Sequence, residues 1–537
     1  MSSILKLFLL VLPISILSYQ ASSQVNFTSS NLPIVVINTN YMTIVDEPKI
    51  FANMGIIWNG PGKRNNLSDP MNDYNGKIGI EIRGSSSQSF PKKSYGFETK
   101  TSELVTTDVS LLGLPEENDW ILYAPYSDKT LIRNVLTFTL DASLGHYSPR
   151  CRFVELMLNG TYQGIYVLME KIKRNKNRVD IAKLTALDNS GEELTGGYIL
   201  KIDKSTGTGA SGWSSDYSND FGRTFYQIDY PKADVVTYSQ KSYIQDYVRN
   251  MEKSLYQEKY SGPGSYHDYL NDSSFIDFMI VNELAKNVDG YRISSYLYKG
   301  KNELLNCGPT WDYNLAYGNA DYYDGWTTNG FQYEAYLGND YWQNPFWWSK
   351  LIKDPAYSGN LKRRWSSIRK KEYSNARITF VIDSLVNLLS EAQVRNFFKW
   401  PVLGKYVWPN YYIGSSYNSE VVWMKNWILN RLSFLDRQWP YDFTGTENLS
   451  VSNSASVFPN PFTDVLSIHM NSSVNLSAFA EIRNANGSVL RNERIEIQNG
   501  LARIEFPERQ KLQPGLYLLK ITASGQVLLN EKIIKSP

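Results

Sequence analysis

Cysteine and histidine are scarce in this 537-residue chain, which has only Cys151 and Cys307, and only His146, His267 and His469. Two thiols cannot make a disulfide framework or a cysteine-based zinc site, and three histidines this far apart lack the spacing of a ligand set. That argues against a zinc hydrolase, and a histidine-based triad has little to draw on. The two thiols can pair after export or stay apart as buried side chains. A strong charge of one sign is also missing. The net charge is +2 with no block of like charges, so nothing points to nucleic acid as a partner. Beyond the first residues no stretch approaches the roughly 20 apolar residues needed to cross a bilayer, so no transmembrane helix is expected.

Apolar and aromatic residues are abundant. The hydrophobic share is 42%, ample for a core, and there are 38 Tyr and 14 Trp, a bias common in exported and sugar-binding proteins. At the N-terminus Lys6 precedes the apolar run LFLLVLPISIL, and the small and polar residues Ser18 to Gln24 follow. Residues 1–24 therefore read as a secretory signal cleaved near Ala21 to Gln24.

The chain is organised around Ser273 to Asn319. The apolar run Phe275 to Leu284 follows the capping residues Asn271 to Ser274 and predicts a buried helix ending near Lys286. Asn287-Val288-Asp289-Gly290 is a turn carrying a carboxylate. A strand is predicted over Arg292 to Tyr298, a turn at Lys299 to Asn302, and a second strand running toward Trp311-Asp312. Asp289 and Asp312 thus stand at the two ends of one hairpin, where they can meet in one cleft. One carboxylate to orient an acceptor and a second to hold Mg2+ on phosphates is the layout of a metal-dependent phosphotransferase. The plainer alternative is an Asp-Gly turn and a helix cap.

Upstream, a strand at Lys77 to Arg83 feeds the loop Gly84-Ser85-Ser86-Ser87-Gln88-Ser89 and returns with Lys92 and Lys93, a pattern able to surround phosphate with amides, hydroxyls and an ammonium. Tyr123 to Asn134 reads as a strand end, a polar turn and the start of a helix over Leu131 to Ser143. Val154 to Met169 is a hairpin with Asn159-Gly160 at its turn, ending in the charged pair Glu170-Lys171. Further on, the Trp, Phe and Leu positions of residues 344–439 recur every three to four residues, as in helices packed on a core. There Arg363, Arg364 and Arg369 can hold an anion or make surface ion pairs.

Taken together, these stretches resemble the spore coat protein H (CotH) kinase family of secreted, atypical kinase-like proteins. The resemblance rests on Arg83-Gly-x-Ser-Ser to Lys93, Asp128-Lys-x-x-x-Arg-Asn134, the Leu158 to Glu170 hairpin, and the unit ending in Asp289, Trp311-Asp312 and Tyr317-Gly318. It implies that Asp289 is the catalytic-loop aspartate and that Asp312, helped by Asn314, is the metal ligand. It places Arg83, Ser85 and Ser86 in a loop over the nucleotide, with Lys92 or Lys93 and Glu170 near the phosphates. ATP and Mg2+ are the cofactors implied for an active member. Two positions depart from the family pattern. Ser294 stands where an Asn is usual, and Asn314 replaces the second aspartate of Trp-Asp-x-Asp; an amide oxygen there, as at Asn319, brings no charge to offset Mg2+.

After Asp442 the texture changes to a Ser/Thr/Asn/Gly-rich linker. Then Phe458-Pro459-Asn460-Pro461-Phe462 opens a short all-β module with strands at 465–469, 480–483 and 502–506, a Pro514-Gly-Leu-Tyr-Leu-Leu-Lys520 segment and a terminal Lys532 to Lys535. This module resembles the C-terminal sorting domain of the type IX secretion system, which implies that secretion machinery as a partner and release or outer-membrane surface attachment as the destination.

The fold expected is α+β: an atypical protein-kinase-like domain with a mixed sheet and a helical lobe, then a small β-sandwich. The divisions expected are 1–24 signal, 25–75 β extension, 76–443 CotH-like domain, 444–456 linker and 457–537 sorting domain. The function expected is an exported phosphotransferase acting on extracellular or surface proteins. The alternative is a kinase-like surface protein, weak or inactive in catalysis, that holds an extracellular protein or glycan. A glycan hydrolase would need Asp289 and a second carboxyl about 5 to 9.5 Å apart across an open groove.

Overall fold

The computed structural model describes residues 25–204, 212–218, 222–440, 455–470, 476–484, 488–498, 501–506, 512–523 and 526–536. The expected signal at 1–24 and linker residues 444–454 lie outside the described residues.

Seven strands, several of them buried on both faces, close into a barrel. They are β1 (Ile34–Asn38), β2 (Ile50–Ile57), β3 (Tyr74–Arg83), β4 (Ser94–Lys100), β5 (Asp119–Tyr123), β6 (Cys151–Leu158) and β7 (Thr161–Glu170), in the order β1-β2-β3-β4-β5-β7-β6. Neighbours are antiparallel except at the closure, where β1 runs parallel to β6 with Val35 opposite Leu156. Ile37, Ile56, Ile78, Phe97, Trp120 and Leu168 are among the side chains that fill the interior. Closure leaves no unpaired edge among these strands. Residues before 76 supply two staves and so are integral to the barrel; the β extension expected at 25–75 is not a separate appendage. The β6–β7 turn has φ +49 at Asn159 and +74 at Gly160, the backbone that an Asn-Gly hairpin favours.

A second, antiparallel sheet comprises β8 (Tyr198–Ile202), β9 (Gly212–Ser218), β10 (Arg223–Tyr230), β11 (Ser295–Lys299) and β12 (Leu305–Cys307), in the order β9-β10-β8-β11-β12. Eight α-helices occur among the described residues: α1 (Arg133–Ala142), α2 (Tyr238–Tyr256), α3 (Asp272–Ala285), α4 (Trp347–Lys353), α5 (Pro355–Arg369), α6 (Asn375–Leu389), α7 (Ala392–Lys399) and α8 (Tyr417–Gln438). Helix α3 is the central one. Every residue from Ser274 to Ala285 is buried, as an all-round apolar helix requires, and it packs on α1, α5 and α8. Asn271 caps its start through the Ser273 amide, and Lys286, in the left-handed region at φ +42, ends it.

The strand expected from Arg292 begins only at Ser295. Residues 290–294 form a turn with Ser294 at φ +54, and Arg292 is drawn inward by two carboxylates instead of joining the ladder. Cys151 and Cys307 are both free thiols.

Chain contacts separate Met1–Tyr441 from Asp442–Pro537. The second unit has β13 (Ala455–Phe458), β14 (Val465–Met470), β15 (Leu476–Asn484), β16 (Val489–Ile497), β17 (Leu501–Glu505), β18 (Gly515–Ala523) and β19 (Gln526–Lys535). Sheets β13-β14-β17 and β16-β15-β18-β19 share a core that includes Phe462, Ile468, Ile482 and Ile521. The molecule is thus mixed α+β with an all-β C-terminal unit.

Candidate functional site

The loop that carries Asp312 is built by residues from three parts of the chain. Asp128 holds Arg133 through Oδ1 and Nη1 at 2.5 Å, and Arg133 Nε donates to the Ala316 carbonyl at 3.0 Å. Asn134 Oδ1 accepts from the Tyr313 amide at 2.6 Å, and Asn287 Nδ2 donates to the Asp312 carbonyl at 3.1 Å. The Asp128 to Asn134 motif is therefore a clamp on residues 312–316. Clamped this way, Asp312 adopts φ +62, a left-handed conformation that costs a non-glycine residue about 1–3 kcal/mol and is characteristic of functional loops.

Asp312 is open to solvent, but protein surrounds it on most sides and strips part of its hydration. That desolvation pushes its carboxyl up to about 6. The Asp289 and Asp203 carboxylates push the same way, and Arg83 offsets them in part. Asp289 and Asp203 are thus close enough to Asp312 for their charges to act on it.

Arg83 faces this cluster, and Lys171 lies near Arg83. Arg83, at the end of β3, lies with its guanidinium 5.6 Å from the Trp311 ring. Burial lowers its pKa, and Tyr296, Asp312, Glu81 and Asp229 oppose that shift. Lys171 follows β7 directly, with Nζ 4.0 Å from Asp119 Oδ1. Burial lowers its pKa too, Asp119 opposes this, and the charges of Arg83, Lys232 and Lys49 add to the lowering. Like charges held this close would be relieved by an anion between them.

Asp289 sits in the turn after α3, half-buried, with Oδ1 2.8 Å from Arg292 Nη2. Arg292 is buried and bridges to Asp340 Oδ2 at 2.7 Å and to the Trp342 carbonyl. That bridge fixes where the Asp289 carboxylate points.

The remaining predicted residues divide. Ser85 and Ser86 are exposed on the turn between β3 and β4. The turn needs Gly84, whose φ is +113 and where a Cβ would come within 2.1 Å of Ser87 Oγ. Lys93 lies beside this turn and donates to the Gln88 carbonyl at 2.5 Å. Lys92, two residues before β4, turns into the interior instead. It is buried, donating to the Ile165 carbonyl at 2.6 Å and to Asn396 Oδ1 at 2.8 Å, so it does not reach the cleft. Glu170 is likewise buried and fully engaged. Arg150 Nη2 meets it at 2.8 Å, and the Arg150 amide and Tyr147 hydroxyl also donate to it. The lysine that lies near Arg83 is instead Lys171. Its place in the sequence, one residue past a buried glutamate at a strand end, was the available signal.

Among the described residues no group of three Asp, Glu, His or Cys side chains is close enough to hold a metal unaided. Asp312 and Asn314 do offer hard oxygens, and Mg2+ is ordinarily bound by one or two carboxylates together with substrate phosphates, so the residues fit a metal shared with a phosphate. Asn319 is committed elsewhere: its amide donates to the Asn314 and Ser127 carbonyls and accepts from Asn410. Arg364 and Arg369 are also taken, by Asp277 and Asp436.

The fold is mixed α+β, and Asp289 and Arg83 both lie close enough to act on Asp312. Residues 80–435 match the family described as CotH kinase protein, and the chain belongs to that family. Residues 456–536 match the secretion system C-terminal sorting domain. A curated relative, the inner spore coat protein H of Bacillus subtilis (strain 168), is 25% identical over 252 residues, which is 45% of this chain. The alignment spans 59% of that relative's length. No helix among the described residues is long and apolar enough to cross a membrane.

Proposed function

We propose that the protein is an exported, kinase-like phosphotransferase that uses ATP and Mg2+ to phosphorylate a hydroxyl of an extracellular or surface protein. The observation that carries this is the charge pattern around Asp312: Asp289 and Arg83 both act on it, Arg83 lies 5.6 Å from the neighbouring Trp311 ring, and Lys171 lies near Arg83. Arg83 and Lys171 bind phosphate oxygens, with the Ser85 and Ser86 turn over them, and Asp312 with Asn314 holds the metal against the same phosphates. The nucleotide supplies the phosphoryl group, and the metal neutralises charge that builds on it. Asp289, oriented by Arg292, accepts the acceptor hydroxyl's proton as the new O–P bond forms and ADP leaves. The C-terminal unit directs the chain to type IX secretion, with release or surface attachment to follow.

The test is calorimetry of Mg-ATP with the mature chain beside Asp312→Ala. Binding by the wild type that the variant loses is expected; no binding by the wild type with Mg2+ or Mn2+ overturns the reading. A second reading, a kinase-like protein that binds without transferring, is favoured by Ser294 in place of a metal-ligating amide and by the close Arg292–Asp289 pair. Binding without phosphate transfer to any surface extract would decide for it.

A further inference from the structure

The C-terminal end of α3 does more than finish a helix, because three groups there bond the loop that carries Asp312. Asn282 Oδ1 accepts from the Tyr313 hydroxyl at 2.9 Å, and the Ala285 carbonyl accepts from the Tyr317 amide at 2.7 Å. The third is Asn287, whose Nδ2 donates to the Asp312 carbonyl at 3.1 Å. Asn287 is 1% exposed and has little room to turn.

Asn287 differs from the other two in having a second partner, in the turn that carries Asp289. Its Oδ1 accepts from the Asp289 amide at 3.4 Å, two residues on, as in an Asx turn, and its own carbonyl accepts from the Gly290 amide at 2.9 Å. Gly290 lets this turn lie back on the helix, since a Cβ there would come within 2.0 Å of Asn282 Oδ1. One side chain therefore bonds the backbone of Asp289 through its oxygen and the backbone of Asp312 through its nitrogen. An amide suits both jobs, carrying an acceptor oxygen and a donor nitrogen on one carbon. The Asp312 carbonyl and the Tyr313 amide belong to the same peptide group. Asn287 Nδ2 holds the first and Asn134 Oδ1 the second, so both ends of that group are pinned.

We propose that Asn287 is a positioning residue that ties the Asp289 turn to the Asp312 loop and keeps Asp312 in its left-handed conformation. With the following peptide group pinned, Asp312 cannot relax from φ +62 to an ordinary backbone without breaking a bond to Asn287 or Asn134. What this positioning serves rests on the phosphotransferase reading; the bonds themselves do not.

The test is hydrogen–deuterium exchange on the full mature chain, with Mg-ATP calorimetry beside it. Asn287→Ala loses both bonds, whereas Asn287→Ser keeps a hydroxyl for the Asp289 amide but has no amide to reach Asp312. Asn287→Ala speeds exchange over residues 310–318 and 287–293 about tenfold, the factor expected for one buried hydrogen bond. Asn287→Ser speeds 310–318 by a similar factor and 287–293 by less, and residues 161–170 of β7 exchange as in the wild type. Wild-type exchange over 310–318 in the variants overturns the proposal, and so does a uniform rise across the chain, which marks general destabilisation. Should Asn287→Ala fail to fold, Asn287→Ser decides by the same comparison. In calorimetry Asn287→Ser weakens Mg-ATP about tenfold and leaves ATP without metal unchanged; Mg-ATP bound as tightly as by the wild type overturns the positioning role. If the wild type binds no Mg-ATP, the phosphotransferase reading falls, and exchange still decides whether Asn287 ties the two turns.

Discussion

The charged interior of the larger unit and its cleft use the same residue types in opposite ways. In the interior four acids each have a close base: Glu155 with Arg395 at 2.6 Å, Glu170 with Arg150 at 2.8 Å, Glu283 with Arg431 at 2.9 Å and Asp128 with Arg133 at 2.5 Å. In the cleft the pairing is incomplete. Arg83 and Lys171 add to each other's discomfort, and Asp203 and Asp289 raise Asp312. A charge satisfied within the protein has little left for a ligand, so a motif residue such as Glu170 becomes scaffold. An incompletely neutralised cluster stays available, at some cost in stability.

Breaking the satisfied side gives the largest effect. Glu283 accepts from Arg431, Tyr291 and two backbone amides, so Glu283→Ala strands a buried cation and lowers unfolding free energy by about 3–5 kcal/mol in urea titration. Next comes Glu252, buried beside Tyr226 and Ser215, whose carboxyl is pushed up to about 7 chiefly by burial. Its folded pKa is raised, so its contribution is full below the ordinary value and lost as pH climbs through about 7. Stability then falls by about 2–3 kcal/mol between pH 5 and 8, and Glu252→Gln flattens that part of the profile.

Lys92→Met sharpens the contrast within one loop. It removes the hydrogen bonds to the Ile165 carbonyl and Asn396 and costs about 1–3 kcal/mol, with Mg-ATP affinity unchanged. Arg83→Met does the reverse, weakening Mg-ATP about tenfold while the melting temperature holds. Smallest is Asp312→Asn. The folded carboxyl is raised to about 6, so at pH 7.5 the ionised group opposes folding, and the amide stabilises by about 1 kcal/mol once screening at this exposed site is allowed for. The gain disappears below about pH 4, where the carboxyl is protonated in both states, and a pH series of melting curves checks it.

Much of this was readable in advance where the signal was local. The apolar run of α3, its Asn271 cap and the Asn159-Gly160 hairpin follow from period and turn chemistry, and the structure has them within a residue or two. The Asp289 to Asp312 pairing was legible because one short hairpin separates them. The start of β11 was misread: β-branched and aromatic residues favour a strand from Arg292, but Asp289 and Asp340 hold that side chain inward. Barrel closure was missed because it depends on a parallel pairing between β1 and β6, more than a hundred residues apart.

Composition and order alone carried the family motifs and the change of texture after Asp442, since each is written in neighbouring residues. Where each lysine ends up was another matter. Lys92 is spent on Asn396, 304 residues away, and Glu155 on Arg395, 240 residues away, while Lys171 is left beside Arg83. Whether a charge is consumed or kept free depends on what the folded chain brings within about 3 Å of it, and no local pattern encodes that distance.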